Sequence, residues 1–379
     1  MNRSMLITLG ALIACLVVPT MAGASIAFTK IVAPYTFTSQ PLNSTIYIYD
    51  HVKGSAPKTV ALNVKGADPQ ISPDGKIVAY SKVSTVKIKT SMGSGTVDKY
   101  LLHFVTIATN VDIATTNQCM NFTWAPDSSS VACDLTSATG KGPTGLITVT
   151  PDGTSTTIVK NTDTVSVGWD SLTWSPDSSM IAWESIVQPS KPTMKFNPPR
   201  LRAKNADGTG PLIKLGNNAG TAVWGPKLIA YQAFTGSGDS LTSQIWTVDP
   251  TTHNSSTATQ LTHWTQPKNG MDSGPSPSLW TPNGKTIIGV IAGMDDDATS
   301  VKINATTGKI TPISVNNQYS NQPIAVSSDG STALIYYYSQ PCCSTKAVGY
   351  VVTSSLTGTA GTKFKDNVAF MSVSADWKP

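Results

Sequence analysis

At 379 residues the chain is long enough for two average domains or for one large repetitive one. Charged residues make up only 13% of it, and the formal net charge of +5 is spread as single Lys residues among Ser and Thr, which excludes the basic stripe that nucleic-acid binding needs. Glu184 is the only Glu and Arg occurs only at positions 3, 200 and 202, while β-branched and turn-forming residues are abundant, so the composition is that of an all-β protein.

The chain begins with Arg3, an apolar run and the small residues Ala22-Gly23-Ala24. This is the layout of a secretory signal peptide, residues 1–24, cut before Ser25; the run is too short and wrongly flanked for a membrane span. Leu12 to Cys15, "LIAC", also matches a lipobox, so a lipid anchor at Cys15 is the minority reading. Removing Arg3 takes the formal charge from +5 to +4. A periplasmic, cell-envelope or secreted location is expected, with no transmembrane segment.

Three strands follow in "SIAFTKIVAPYTF", "STIYIYD" and "KTVALNV". Then a pattern recurs: "DPQISPDGKIVAYS" from Asp68, "NFTWAPDSSSVACD" from Asn121, "SLTWSPDSSMIAWE" from Ser171 and "TAVWGPKLIAYQ" from Thr221. It continues in "PSLWTPNGKTIIGV" from Pro277, "PIAVSSDGSTALIY" from Pro323 and a truncated "MSVSADWKP" from Met371. The turn prolines or their equivalents stand at 73, 126, 176, 226, 282, 328 and 375, a period near 50 residues, which is the scale of a propeller repeat. Each period holds four short strands; in the copy at Thr221 these are "TAVW", "LIAYQAF", "SQIWTVD" and a strand near "ATQLTHW".

The turn chemistry is legible. Pro presets the second turn position, the Asp side chain accepts from backbone N–H groups two residues on, and Gly tolerates the positive φ that follows. Asp in this motif therefore reads as a cap. Trp124, Trp174, Trp224 and Trp280 share one register position and read as packing between sheets. The last copy stops after one strand, and the N-terminal three strands lack a first strand of their own. Pairing the two chain ends closes the ring and removes an open edge. That makes seven blades, with six as the alternative because the shortened copy "WGPKLIAY" lacks an Asp-Gly turn.

The recurring "WSPDGKxIAY" with a hydrophobic strand and a "QLT" segment, as in Gln260-Leu261-Thr262, resembles the TolB-like, or WD40-like PD40, β-propeller repeat. The resemblance covers nearly all of residues 25–379. It implies a stand-alone exported propeller with an unspecified ligand, since neither an N-terminal α/β domain nor a following hydrolase domain is recognisable.

Chemistry is sparse in the linear sequence. There is no GxSxG elbow. Gly140 to Gly145, "GKGPTG", formally matches GxGxxG, but it precedes the strand "LITVT" instead of opening a helix. His51, His103, His253 and His263 share no register and form no metal-binding pair, and Asp295 to Asp297 lacks EF-hand spacing, so no metal and no cofactor are expected. Cys119 and Cys133 flank one turn at near-opposite positions of a hairpin, a possible disulfide; Cys342 and Cys343 are adjacent, either free or bridged. The densest basic stretch, Lys191 to Lys204, contains Arg200, Arg202 and Lys204; a solvated strand connection is the default reading, and a protruding loop that contacts an acidic partner or wall polymer the functional one. The leading expectation is a non-catalytic, monomeric binding or scaffold module for a protein or glycan. The alternative is a lyase or hydrolase acting on carbohydrate or peptide at the channel mouth, with its residues drawn from different blades.

Overall fold

The computed structural model describes residues 24–30, 45–50, 58–90, 93–135, 144–160, 166–186, 199–235, 242–266, 274–292, 298–313, 320–339, 348–356, 362–363 and 370–377. Among them there is no α-helix; apart from two single 3₁₀ turns, the regular structure is strand.

The N-terminal strands are β1 (Ala24–Lys30), β2 (Thr45–Asp50) and β3 (Lys58–Lys65). Next come β4 (Ala67–Ile71), β5 (Ile77–Thr90), β6 (Gly93–Thr106), β7 (Val111–Trp124), β8 (Val131–Leu135), β9 (Gly145–Val149) and β10 (Ser155–Lys160). The third copy gives β11 (Ser166–Trp174), β12 (Met180–Ile186), β13 (Arg200–Asn205) and β14 (Ile213–Asn217). The fourth gives β15 (Ala219–Trp224), β16 (Ile229–Thr235), β17 (Thr242–Val248) and β18 (Thr259–Gln260). The remainder is β19 (Pro275–Trp280), β20 (Thr286–Ala292), β21 (Ala298–Asn304), β22 (Ile310–Pro312), β23 (Ser320–Val326), β24 (Thr332–Ser339), β25 (Val348–Ser355), β26 (Thr362–Lys363) and β27 (Phe370–Trp377).

These strands form five antiparallel sheets of four and one of seven. The seven-stranded sheet arises because β7 serves two units: Leu101 of β6 pairs with Gln118, whereas Leu135 of β8 pairs with Cys119. The shortened copy does not merge with a neighbour, since β15–β18 make a sheet of their own, turned by a Gly225 N–H to Leu228 carbonyl bond of 2.8 Å. The C-terminal β27 pairs with β1, from Ala24 opposite Trp377 to Lys30 opposite Phe370.

A four-stranded sheet with two apolar faces is not soluble alone, and the packing shows where those faces go. Six hydrophobic clusters each bridge one unit and the next. One joins β1–β3 to β4–β6 through Ile48, Leu62, Val78 and Tyr80, and another joins β8–β10 to β11–β13 through Ala132, Leu146, Ile158, Trp174 and Trp183. The remaining four join their neighbours in the same manner, and β23 and β25 lie against β27. Radial position follows: β9 is buried along its whole length, while β10, at the outside of the same unit, is mostly exposed.

The tryptophans fasten neighbouring units. The indole N–H of Trp124 donates to the Gln70 carbonyl, that of Trp174 to Thr123 and that of Trp280 to Val223, at 3.0 to 3.1 Å, in each case on the first strand of the preceding unit. A buried indole needs an acceptor, and this one is supplied by the repeat itself. The copy at Trp224 has Gly225 where others have Ser, Ala or Thr, because the Trp280 ring lies where a Cβ would be, 2.5 Å from it.

Candidate functional site

Two ends of the ring differ in chemistry. At the end carrying the repeated turns, the carboxylates are consumed by their own turns. Asp177 Oδ1 accepts from Ser175 Oγ at 2.6 Å and from the Ser179 N–H at 3.1 Å; Asp329 accepts likewise from Ser327 Oγ at 2.5 Å and the Ser331 N–H at 2.9 Å. Those bonds, the seryl hydroxyl first, hold both carboxyls below the usual carboxylate range. Successive turns are also tied together, the Asp74 N–H donating to Ser128 Oγ and the Asp127 N–H to Ser178 Oγ. The Asp of the motif is a cap.

Toward the other end, the second strand of each unit carries a position whose character changes around the ring. Register with the turn aligns Ser81, Asp134, Glu184 and Gln232 in four consecutive units, each two residues beyond an alanine: Ala79, Ala132, Ala182 and Ala230. The next two units have Val290 and Tyr336 there. Among the six units in which this position is described, the polar residues fall in four consecutive ones. Ser81 Oγ donates to the Cys119 carbonyl across to the next unit at 2.8 Å. Asp134 is buried, 6% exposed, and burial pushes its carboxyl up to about 7. Repeat alignment holds the signal for this set, because "SVACD" and "MIAWE" end on an acid at the same offset from the turn.

A second cluster was not legible as such in the sequence. Tyr80 on β5 and His103 on β6 are cross-strand partners, and Asp112 on β7 reaches both: Tyr80 Oη donates to Asp112 Oδ2 at 2.9 Å, and His103 Nδ1 lies 2.9 Å from Oδ1. Tyr80 and His103 are buried while the Asp112 side chain is 30% exposed. Burial first, then the Asp112 carboxylate, pushes the Tyr80 phenol well above its ordinary range. The cluster also explains Gly66, since a Cβ there would meet the Tyr80 ring. The other described histidines do not join it: His253 ends a 3₁₀ turn and His263 lies 3.2 Å from Gln260. Among the described residues no cluster of His, Cys, Asp or Glu has the makings of a metal site.

The protruding-loop reading of the basic stretch is corrected. Arg200, Arg202 and Lys204 do not form a protruding loop; they lie on β13, the third strand of its sheet, with Trp183 opposite Arg202 and Ser185 opposite Arg200. Their alternate neighbours Leu201 and Ala203 pack toward β15–β16, so the three basic residues face β8–β10. Arg202 is 6% exposed and Lys204 Nζ donates to the Ile158 carbonyl at 3.1 Å. Only Arg200 of the three is an exposed side chain: it stands at the start of β13, while farther along the same face is covered by the preceding unit. Cys119 and Cys133 are joined by a disulfide within the β7–β8 hairpin, with Cα atoms 5.6 Å apart, both fully buried. Gly145 opens a strand, β9, at the end of the "GKGPTG" segment. Residues 1–23, His51, Lys191, Lys195, Asp295 to Asp297, Cys342 and Cys343 lie outside the described residues.

No family model matches the chain, and no curated protein sequence matches it. Solved structures do. The β-propeller domain of the Trilobed protease from Pyrococcus furiosus is similar over 92% of this chain and 96% of that one, at 11% identity and a TM-score of 0.56. An oligogalacturonate lyase in complex with manganese is similar over 92% of this chain and 86% of its own, at 12% identity and a TM-score of 0.57. The fold is a β-propeller. TolB from Acinetobacter baumannii is itself among the similar structures, at 15% identity and a TM-score of 0.49, over 94% of this chain and 67% of that one. At these identities the likeness speaks for the propeller fold and leaves the site to be argued from residues. No helix among the described residues is long and apolar enough to cross a membrane.

Proposed function

We propose that residues 25–379 form an exported seven-bladed propeller, closed by β27 and β1 and released from a signal peptide at 1–24, that acts as a non-catalytic binding or scaffold module in the periplasm, the cell envelope or outside the cell. Seven blades follow when β7 is counted in both of its units. The ligand of this module is a protein or glycan. The observation that carries the reading is the polar sector: Ser81, Asp134, Glu184 and Gln232 replace apolar side chains in four consecutive units, a one-sided departure that packing alone does not call for. Crosslinking of the purified mature protein in envelope extract from its source, read by mass spectrometry, tests it. A specific partner crosslinked through these four units is expected; the reading fails if capture is equal with a variant carrying Glu184→Ala and Gln232→Ala.

A lyase or hydrolase acting on carbohydrate or peptide is the second reading, and Asp134 is the observation in its favour. A buried carboxyl pushed to about 7 is suited to giving and taking a proton near neutrality. Turnover of an oligosaccharide or peptide library, abolished by Asp134→Asn, would move the assignment to an enzyme.

A further inference from the structure

The Arg202 side chain poses a specific physical problem. It is 6% exposed, its Nε has no hydrogen-bond partner, and the ion pairs among the described residues do not include it. Its charged form is disfavoured by burial and then by Arg200, two residues earlier on the same face of β13. Lys214 on β14 is directly opposite Arg202, and Lys204 shares the face, its Nζ occupied by the Ile158 carbonyl. Like charges in register repel, and a buried guanidinium N–H without an acceptor carries an uncompensated desolvation cost. Beside it, the Ser185 hydroxyl is fully buried and also without a partner. Register places Trp183 opposite Arg202 and Ser185 opposite Arg200, so one face of β12–β13 presents a donor-rich patch toward β8–β10. Five guanidinium N–H groups in a fixed fork are a match for two oxygens of one anion.

We propose that Arg202, Arg200 and the Ser185 hydroxyl form an oxyanion-binding site between the β7–β10 and β11–β14 sheets, for a small ligand or terminal polymer residue bearing a carboxylate, sulfate or phosphate. The site rests on the binding-module reading and names its ligand chemistry. Arg202 supplies the buried, bidentate contact. Arg200, exposed at the strand end, supplies the outer one and draws the anion inward. Ser185 donates its hydroxyl. Arg is chosen over Lys here, in a chain with no other Arg after position 3, because only the planar fork gives two parallel bonds to one group.

The test is titration with sodium sulfate, sodium phosphate and sodium glucuronate at constant ionic strength, read by calorimetry and by the thermal midpoint of the mature protein. Saturable binding of at least one probe is expected, weakened about 30-fold or more by Arg202→Gln and about 5-fold by Ser185→Ala. A phosphate or sulfate response without glucuronate assigns an inorganic or ester anion; the reverse assigns a sugar acid. If Arg202→Gln does not fold, Ser185→Ala and Lys214→Gln, at small or exposed positions, carry the comparison. Linear, unsaturable stabilisation by all three salts, or equal binding by the variants, overturns the site. Partner crosslinking is run on the same variants: a partner captured equally by Arg202→Gln with no anion binding removes this site and leaves the binding module standing, whereas anion binding without any partner does the opposite.

Discussion

Asp134→Asn isolates the cost of burying an acid in the polar sector. The carboxyl, ordinarily near 3.8, is pushed to about 7 by burial, a difference of about 3 units, or roughly 4 kcal/mol at 1.36 kcal/mol per unit. The sign follows from which state holds the proton longer. Below the unfolded value both states are protonated and the group contributes nothing; as pH rises from about 4 to about 7 the unfolded chain ionises first and stability is lost; above 7 the loss is constant. Asn is neutral throughout, so its effect is flat. The variant should therefore be nearly as stable as the parent, or slightly less so, at pH 4, and more stable by roughly 4 kcal/mol at pH 8. Guanidinium unfolding of both proteins at the two pH values measures this. Capped acids such as Asp177 and Asp329 change stability in the opposite direction with pH, but equally in both proteins, so they cancel in the difference. The same stability difference at pH 4 and pH 8 would show that Asp134 titrates as a hydrated carboxylate, and the argument for a buried acid would collapse.

The inter-unit indole bonds predict that Trp174→Phe costs about 1 kcal/mol, for the lost donation to Thr123, and that Trp174→Ala costs about 3 to 5 kcal/mol; a Trp174→Phe thermal midpoint equal to the parent's would deny the bond any role. Gly225→Ala places a Cβ 2.5 Å from the Trp280 ring and should cost about 1 to 3 kcal/mol, whereas Gly95→Ala, with no atom within 4 Å, should stay within about 0.5 kcal/mol; denaturant midpoints compare them, and equal effects would refute the close approach. Replacing Cys119 and Cys133 together with Ala removes a cross-link over 14 residues and should cost about 3 kcal/mol. Thiol labelling of the native parent should be negligible at both sulfurs because both are fully buried, and rapid labelling before unfolding would contradict the bond.

The fold was readable because a propeller repeats its local physics. The Pro-Asp turn, the Trp or other apolar residue two positions before it and the alternating second strand recur near every 50 residues, and the indole bond made by Trp124 is made again by Trp174 and Trp280. What escaped the reading is of two kinds. The 14-residue strands β5 and β6 extend their hairpin far beyond the others, down to Thr90 opposite Gly93, although "KVSTVKIKT" carries the alternation of a longer strand. The placement of Arg202 escaped because Lys and Arg in a Pro-rich context read as a solvated loop, while in the structure the proline-rich part ends at Pro199 and the strand begins at Arg200. The Asp112 contact with Tyr80 joins the fourth strand of one unit to its second, and that fourth strand is the first half of β7, which runs on into the next unit with no turn to mark it.

A repetitive architecture makes departures from the repeat more informative than the repeat. In two units this layer is filled by larger side chains, Ile288 with Val290 and Leu334 with Tyr336. The units with Ser81, Asp134, Glu184 and Gln232 give up that hydrophobic contact, and in the same sector the chain buries Arg202 with its Nε unpartnered. In a protein that uses charge as sparingly as this one, such side chains lower the stability of the unliganded ring. Their cost is recovered only by something that enters between the β7–β10 and β11–β14 sheets or lies across that sector, which makes this part of the ring, and not the capped turns, the place where binding is to be sought.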